Sequence, residues 1–559
     1  MGIFNSHSWP YTNIHEMNLD WVIAQIKRLK DSVERIDERR FGKSYVNVAF
    51  FAEDEKLDSN NIACCIKKAL DESSYIYIPA GTYYMNVVIN RDCHILLDEK
   101  CYIATPNGDP AIKAIDCSIS ITGGNIFAGE NDGSRTPVGG IPYTTKGIVE
   151  LKNCYECKFE NINVPHSKYS SVFQVEDSES VIFENINMSN ILLCGIRFLH
   201  GGRDLIVRNC RFENITKIDS ADFDYCYAVS TGLRSLNLTG ITPPDGIIYE
   251  NNYVKNSEDC ALDTHGAQNV IIRNNKIEDT VNAITAYNDN LRVERPEGWT
   301  MKNVLIENNY CDSDRDNDTG RRYPHSFIFL GASKGISNPE DAGRYDAYVN
   351  CIVRNNYFRS ANTKDGGIIF LNSMSRNVSI ENNVIDCQGT NRPTRFAQSL
   401  NFSFRNNQVV NSGGYVLAVT SSGVYENNTG ARVTVASSGP SYVKYVRGGL
   451  WEGNSSLLEG GDLYLNGSSE LDICTNVYGL RAVPNVTLTG HIIVDDGIAT
   501  VDVPTLIPDM ALHITELDAN YYVKDMIDAY TCYIRTASDE PLADGYYSFS
   551  LREATLKPL

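Results

Sequence analysis

Val270 to Ile277 reads VIIRNNKI. An apolar run is closed by a charged residue and a pair of asparagines, and a further apolar residue follows. The same pattern returns at Val181–Met188 (VIFENINM), Leu205–Phe212 (LIVRNCRF), Ile247–Val254 (IIYENNYV), Val304–Cys311 (VLIENNYC) and Cys351–Phe358 (CIVRNNYF). It returns again at Val378–Ile385 (VSIENNVI), Phe402–Val409 (FSFRNNQV) and, degenerate, at Gly423–Gly430 (GVYENNTG). The first asparagine falls at 185, 209, 251, 274, 308, 355, 382, 406 and 427, in steps of 24, 42, 23, 34, 47, 27, 24 and 21 residues. A base step of 21 to 24, lengthened by insertions, marks a solenoid. Each unit alternates like a strand, so the solenoid is built of strands and not of helices.

A coil of about 23 residues holds two or three short strands with their turns, and stacked coils lie about 4.8 Å apart. This predicts a right-handed parallel β-helix whose interior is the Val, Ile, Leu and Phe of each repeat. The recurrent asparagine is read as a turn former that accepts the left-handed conformation and stacks in a ladder. Aligned on it, a second strand emerges: Cys194–Gly201, Cys226–Gly232, Cys260–Gly266, Asn282–Asn288 and Gly367–Asn372. In Cys260–Gly266 alternation puts Asp263 and His265 on one face and Leu262 on the other.

The 559 residues leave room for more than the solenoid, and the formal net charge of −20 argues against nucleic acid as the main ligand. No apolar run is long enough to span a membrane. The opening MGIFNSHSWPYTN has neither a basic nor an apolar signal region, so no secretory signal is expected. Of sixteen cysteines, Cys194, Cys226 and Cys260 open equivalent strands, while Cys210, Cys311 and Cys387 follow the asparagine turns. The pattern predicts buried free thiols rather than a disulfide framework. Cys154 and Cys157 form a CxxC with no second pair, which does not make a zinc site.

Residues 1–44 open the chain with an aromatic stretch. Leu19, Val22, Ile26, Leu29, Val33 and Ile36 then repeat at 3 and 4 residues, a coiled-coil seam. Under three heptads is marginal alone, so the seam predicts an oligomer; the alternative is one amphipathic helix docked on its own domain. Residues 45–86 read as a cap: a strand at Val46–Val48, a helix over Asp58–Leu70 with Asp and Ser as capping candidates, and a strand pair in YIYIPAGTYY. The β-helix is expected over 87–435, with long insertions at 212–246, 285–303 and 310–350 on one side. From 436 to 559 the asparagine repeat stops, and a C-terminal antiparallel β domain for trimerisation or receptor binding is expected.

The 45–86 unit, with Val46-Asn47-Val48, Ala69-Leu70 and Ile78-Pro79-Ala80-Gly81-Thr82-Tyr83, resembles the opening of the pectate-lyase-like β-helix superfamily, with Glu53-Asp54-Glu55 in place of the usual Gly-Asp-Gly. The N-terminal run Ser8-Trp9-Pro10-Tyr11 and Met17-Asn18-Leu19-Asp20-Trp21-Val22-Ile23 resembles the virion-attachment end of bacteriophage tail-spike and appendage proteins. That resemblance implies a homotrimer fixed by residues 1–44 to phage tail, portal or collar proteins, assembled in the host cytoplasm. It also implies a β-helix body that binds and often cleaves a host cell-surface glycan.

The most acidic strand edge is Ser257-Glu258-Asp259-Cys260-Ala261-Leu262-Asp263-Thr264-His265-Gly266. Glycosidases need two carboxyls about 5 to 9.5 Å apart, and a β-helix face supplies such spacings from neighbouring coils. Polygalacturonase-like members of the superfamily use grouped aspartates beside a His-Gly, and Asp259, Asp263, His265 and Gly266 resemble that set loosely. Asp263 or Asp259 is taken as general acid, Asp224 or Glu258 as its partner, and His265 as an orienting or binding group. By the asparagine alignment His200 is equivalent to His265; by the cysteine alignment Asp224 matches Glu258, Tyr225 matches Asp259 and Tyr287 matches His265. Tyr225 and Tyr287 are candidates to stack on sugar rings; His200 and Arg292 join them as substrate-binding candidates. The alternative is a solvated surface with His265 capping a turn. The run DSDRDND (Asp312, Asp314, Asp316, Asp318) resembles a calcium loop but has Asn317 and Tyr323 where Gly and Glu belong, so no metal or cofactor is expected. Three functions compete: a glycan-hydrolysing tail spike, a binding-only or structural appendage, and a cellular polysaccharide lyase or hydrolase.

Overall fold

The structure is a computed structural model. It describes residues 20–38, 43–52, 56–105, 108–138, 146–199, 201–218, 225–232, 243–288, 301–315, 328–332, 348–360, 368–386, 394–411, 417–420, 423–426, 433–435, 441–447, 463–466, 480–502, 511–527, 530–536 and 538–558. Two compact units divide the described residues: one within 20–289 and 305–323, the other within 290–304 and 324–559.

In the first unit three parallel sheets run along a β-helix. One stacks Ser171–Glu176, Cys194–Leu199, Tyr227–Gly232, Cys260–His265 and Asn282–Asn288. The second stacks Glu179–Glu184, Arg203–Arg208, Asp245–Glu250 and Gln268–Arg273. The third stacks Asn187–Leu192, Arg211–Thr216, Tyr253–Ser257, Lys276–Glu278 and Tyr310–Ser313. The interior is apolar, and Phe159, Phe173, Phe183 and Phe198 pack ring to ring with centroids 5.0 to 6.0 Å apart.

The asparagine column holds, and its two members divide the work. The first has positive φ in every described repeat: Asn185 (54°), Asn209 (55°), Asn251 (55°), Asn274 (56°) and Asn308 (56°) in this unit, and Asn355, Asn382 and Asn406 in the other. Asparagine tolerates that left-handed turn better than other side chains. The second asparagine is buried and carries the ladder. Asn252 Nδ2 donates to Asn275 Oδ1 at 3.0 Å, and Asn275 Nδ2 donates to Asn309 Oδ1 at 2.9 Å. The second unit repeats the device through Asn356, Asn383 and Asn407.

Over 45–86 the expected strands appear at Tyr75–Ile78 and Gly81–Tyr84, while the first strand is only Val46–Asn47, with a 3₁₀ turn from Val48 to Ala52, and the helix runs over Ile62–Glu72 rather than from Asp58. Its N-cap is Asn61, without a side-chain cap bond, rather than an Asp or Ser. The helix Asp20–Glu38 is seated on its own solenoid. Gln25 and Arg28 both engage Asp204, and Val22 and Gln25 are buried while Ile23 is exposed. This is the docked-helix alternative in the single chain; the seam side chains Leu19, Leu29 and Ile36 lie outside the described residues. Gly246 (φ 74°) lets the chain pass beneath the helix, since a Cβ there would strike Gln25, Asp204 and Arg28.

In the second unit parallel pairing continues beyond 435: Ser441–Arg447 stacks on Gly423–Glu426. The C-terminal part is antiparallel, as expected, and its topology is a closed six-stranded ring. Gly545–Pro558 pairs with Leu480–Asp495, then in turn Ile498–Val501, Thr531–Arg535, Ala519–Met526 and Ala511–Ile514, which returns to Gly545–Pro558. Closure leaves no free edge, and Ile492, Val494, Leu512, Val523, Ile534 and Phe549 fill the barrel. All described cysteines are free, and among them only Cys64 is exposed. Among the described residues no helix is long and apolar enough to cross a membrane.

Candidate active-site groove

The first sheet of the solenoid is bent. Gly147 N donates to Glu150 Oε1 three residues on (3.2 Å), and Cys260 Sγ reaches Thr285 Oγ1 on the next coil (3.0 Å). A Cβ on Gly195 would meet Met188 and Phe212 of the interior at 3.2 Å. The second residue of each strand therefore points inward, while the first and fourth converge on the outer side and make it concave. The fourth positions form one column: Glu150, Gln174, Arg197, Ser230, Asp263 and Thr285.

Asp263 stands in this column and is fully buried. Its Oδ2 accepts from Ser230 Oγ at 2.8 Å and contacts His265 Nε2 at 2.8 Å. Oδ1 has no partner among the described residues. Burial drives the Asp263 pKa above the usual carboxylate value; His265 and Ser230 oppose the shift and the Asp259 charge adds to it. Because Oδ2 takes both neighbours, a proton on this carboxyl belongs on Oδ1. The backbone behind it is fixed by Tyr249, whose hydroxyl donates to the Asp263 carbonyl at 3.2 Å. His265 is the rim member, its side chain 18% exposed. Tyr227 meets its ring edge-on at 6.3 Å, and Tyr225 lies 5.9 Å from Tyr227.

Asp259 closes the turn before the strand. Its Oδ2 accepts from Cys226 N at 3.2 Å and its Oδ1 from Asn282 Nδ2 at 3.1 Å, so the carboxylate staples three coils. Glu258 is engaged elsewhere. Arg135 forks onto it at 2.7 and 2.9 Å, Lys217 N donates to it at 2.9 Å, and Arg315 lies 3.7 Å away. The structure therefore brings Asp263, His265 and Asp259 to one strand edge and ties Glu258 to a neighbouring arginine pair. Asp224, His200 and Arg292 lie outside the described residues, as does the side chain of Tyr287, whose backbone is in register with His265 as expected.

The cysteine alignment slips by one residue. Tyr227, not Cys226, stands opposite Cys194 and Cys260, because Cys226 precedes its strand and donates to the Asp259 carboxylate. The pairing of Asp224 with Glu258 and of Tyr225 with Asp259 is corrected accordingly, to Tyr225 with Glu258 and Cys226 with Asp259. The chain also hid Ser230, Arg197 and Gln174. Their common column follows from the Asp263 register once the strands are aligned on tyrosine 227. Among the described residues no three His, Cys, Asp or Glu side chains are grouped to hold a metal ion.

No family model matches the chain, and no curated protein matches it. Solved structures similar to it include phage tailspikes and glycan-degrading β-helix enzymes. A tailspike protein mutant of Escherichia coli bacteriophage HK620 in complex with a pentasaccharide is 12% identical, with 93% of this chain and 96% of that chain covered and a TM-score of 0.41. The catalytic unit of an α-1,3-glucanase from Streptomyces thermodiastaticus is 12% identical, with 74% and 70% covered and a TM-score of 0.48. A surface adhesin of Streptococcus pneumoniae is 13% identical, with 76% and 90% covered and a TM-score of 0.40.

Proposed function

We propose that this chain is a tail-spike-type appendage whose groove binds and hydrolyses a host cell-surface polysaccharide. The observation that carries the hydrolytic reading is Asp263: a carboxyl kept toward its protonated form by burial, with one oxygen unpartnered among the described residues and the other held by His265 and Ser230. A protonated carboxyl of this kind serves as general acid to the leaving glycosidic oxygen. Asp259 is the partner carboxylate, with Asp224 as the alternative. Asp259 and Asp263 are four residues apart on a bent strand, about 13 Å if it were straight. The bend draws them closer than that, and we assign the pair the inverting separation of about 6.5 to 9.5 Å, at which the partner acts through a water. Tyr225 and Tyr227 offer ring faces to a sugar at the rim.

Residues 1–44 attach the protein to the virion through tail, portal or collar proteins. The chain forms a homotrimer, and it is assembled in the host cytoplasm. These statements rest on the N-terminal sequence resemblance and on the heptad spacing. A second reading, a binding-only appendage, is favoured by one fact: Asp263 is fully covered. Release of reducing ends from host envelope polysaccharide separates the two. The enzyme releases them, Asp263→Asn does not, and equal release by both removes Asp263 from the chemistry.

A further inference from the structure

Three thiols, Cys117, Cys154 and Cys157, meet at one turn of the solenoid. Asp116 N donates to Lys152 O at 3.0 Å, and Tyr155 N donates to Cys117 O at 3.3 Å. These two bonds belong to one parallel ladder and set Cys117 opposite Cys154 on the next coil. Residues in register on neighbouring coils lie about 4.8 Å apart, inside the roughly 4.4 to 6.8 Å that a disulfide spans between its Cα atoms. Within the CxxC, Glu156 is left-handed (φ 49°), and the bulge turns Cys157 back toward the pair. The Cys154 thiol hydrogen-bonds to both neighbours, and those bonds, with Cys117 first, hold it below its ordinary pKa against the opposing effect of burial.

All three thiols are at most 1% exposed, yet Cys154 is not sealed in. With Tyr155, Ser178, Arg203 and Asp245 it lines a surface cleft of about 700 Å³. Its backbone is fixed there, since Cys154 N donates to Ser178 Oγ and Glu179 N donates to Cys154 O, both at 2.9 Å. Cys194 and Cys210 are different: neither lines the cleft, and burial pushes both up to about 12.

We infer that Cys154 is a peroxide-reactive thiol that closes a disulfide with Cys117 across two coils. The Cys154 thiolate attacks one peroxide oxygen, the O–O bond breaks, and the departing hydroxide takes up a proton to leave as water. The Cys117 sulfur then attacks the resulting sulfenic acid. The S–O bond breaks, its hydroxyl leaves as a second water with the Cys117 proton, and the S–S bond forms. Two thiols are oxidised and one hydrogen peroxide is reduced. In a reducing compartment the three groups stay thiols, and in an oxidising one the link joins the coils.

The test treats the folded full chain with hydrogen peroxide, quenches it, and maps its peptides without reduction. Intact mass should fall by two hydrogens, the map should join Cys117 to Cys154, and dithiothreitol should reverse both. Cys154 should be oxidised about tenfold or more faster than Cys194 or Cys210, as a thiolate-prone sulfur in a cleft should be. Cys117→Ser should stop at a Cys154 sulfenic acid that dimedone traps, and Cys157→Ser should keep the link. The wild-type map needs no substitution, so a variant that fails to fold does not decide the matter. A link between Cys154 and Cys157, no link at all, or oxidation of Cys194 and Cys210 at the Cys154 rate overturns the inference.

Discussion

Removing one rung of the buried asparagine ladder should cost far more than removing the turn residue beside it. The Asn275 side chain makes four hydrogen bonds: its Oδ1 accepts from Asn252 N and Nδ2 at 2.9 and 3.0 Å, and its Nδ2 donates to Tyr249 O and Asn309 Oδ1 at 3.0 and 2.9 Å. It is 2% exposed, so no water replaces these partners. At about 1 kcal/mol net per bond, Asn275→Ala loses about 4 kcal/mol of local stability. Coils contact only their neighbours, so the loss stays local, and the Asn252 amide should exchange with solvent about a thousandfold faster. Asn274 is next in sequence, with φ 56° and an exposed side chain. Glycine accepts that conformation, so Asn274→Gly should change stability by about 1 kcal/mol or less. Hydrogen exchange read by mass spectrometry on the peptide spanning 247–257 checks both variants. If Asn275→Ala and Asn274→Gly differ by less than about 1 kcal/mol, the ladder is not what joins the coils.

Asp263 has its folded-state pKa raised, so the folded chain holds a proton that the unfolded chain has released. That contribution is present below the unfolded value of about 3.9 and is lost as pH rises through the higher folded value. Wild type should therefore lose stability relative to Asp263→Asn on going from about pH 4 to neutral in denaturant titrations; parallel curves would refute the raised pKa. Glu258→Gln should weaken the Arg135 contact by about 1 to 2 kcal/mol yet leave reducing-end release unchanged, since Glu258 is held by arginines; a release-dead Glu258→Gln would return it to the mechanism. Native alkylation followed by peptide mapping should label Cys64 first among the described cysteines, the others being buried. Proton magnetic resonance of fresh product should show inversion, and retention would exclude Asp259 as a water-activating partner.

The solenoid was legible because every coil repeats the same physical demand. A left-handed turn needs Asn at 185, 209, 251 and 274, and the interior needs an alternating apolar strand, so spacing alone set the register there. Cysteine carries no such demand. Cys226 lies outside its strand while Cys194 and Cys260 lie inside theirs, and alignment on thiols displaced the neighbouring pairs by one. The site was legible only in its strongest cluster. Asp263 and His265 stood out as polar residues on a strand edge, but Ser230, Arg197 and Gln174 are scattered over 57 positions of sequence and meet only through the stacking of coils. Glu258 was drawn into the acid set by proximity in sequence, and the loop that brings Arg135 to it has no signature in the chain. The closed C-terminal ring was illegible beyond its strands, since hydrogen-bonding order in an antiparallel barrel leaves no period to read.

The central claim is that the groove cuts a polymer through Asp263. The most direct measurement is the size distribution of host envelope polysaccharide after incubation with the purified protein or with its Asp263→Asn variant, read by size-exclusion chromatography with light scattering. The account predicts shortened chains with the wild type and full-length, bound chains with the variant. Full-length chains with both, or equal shortening by both, would contradict it.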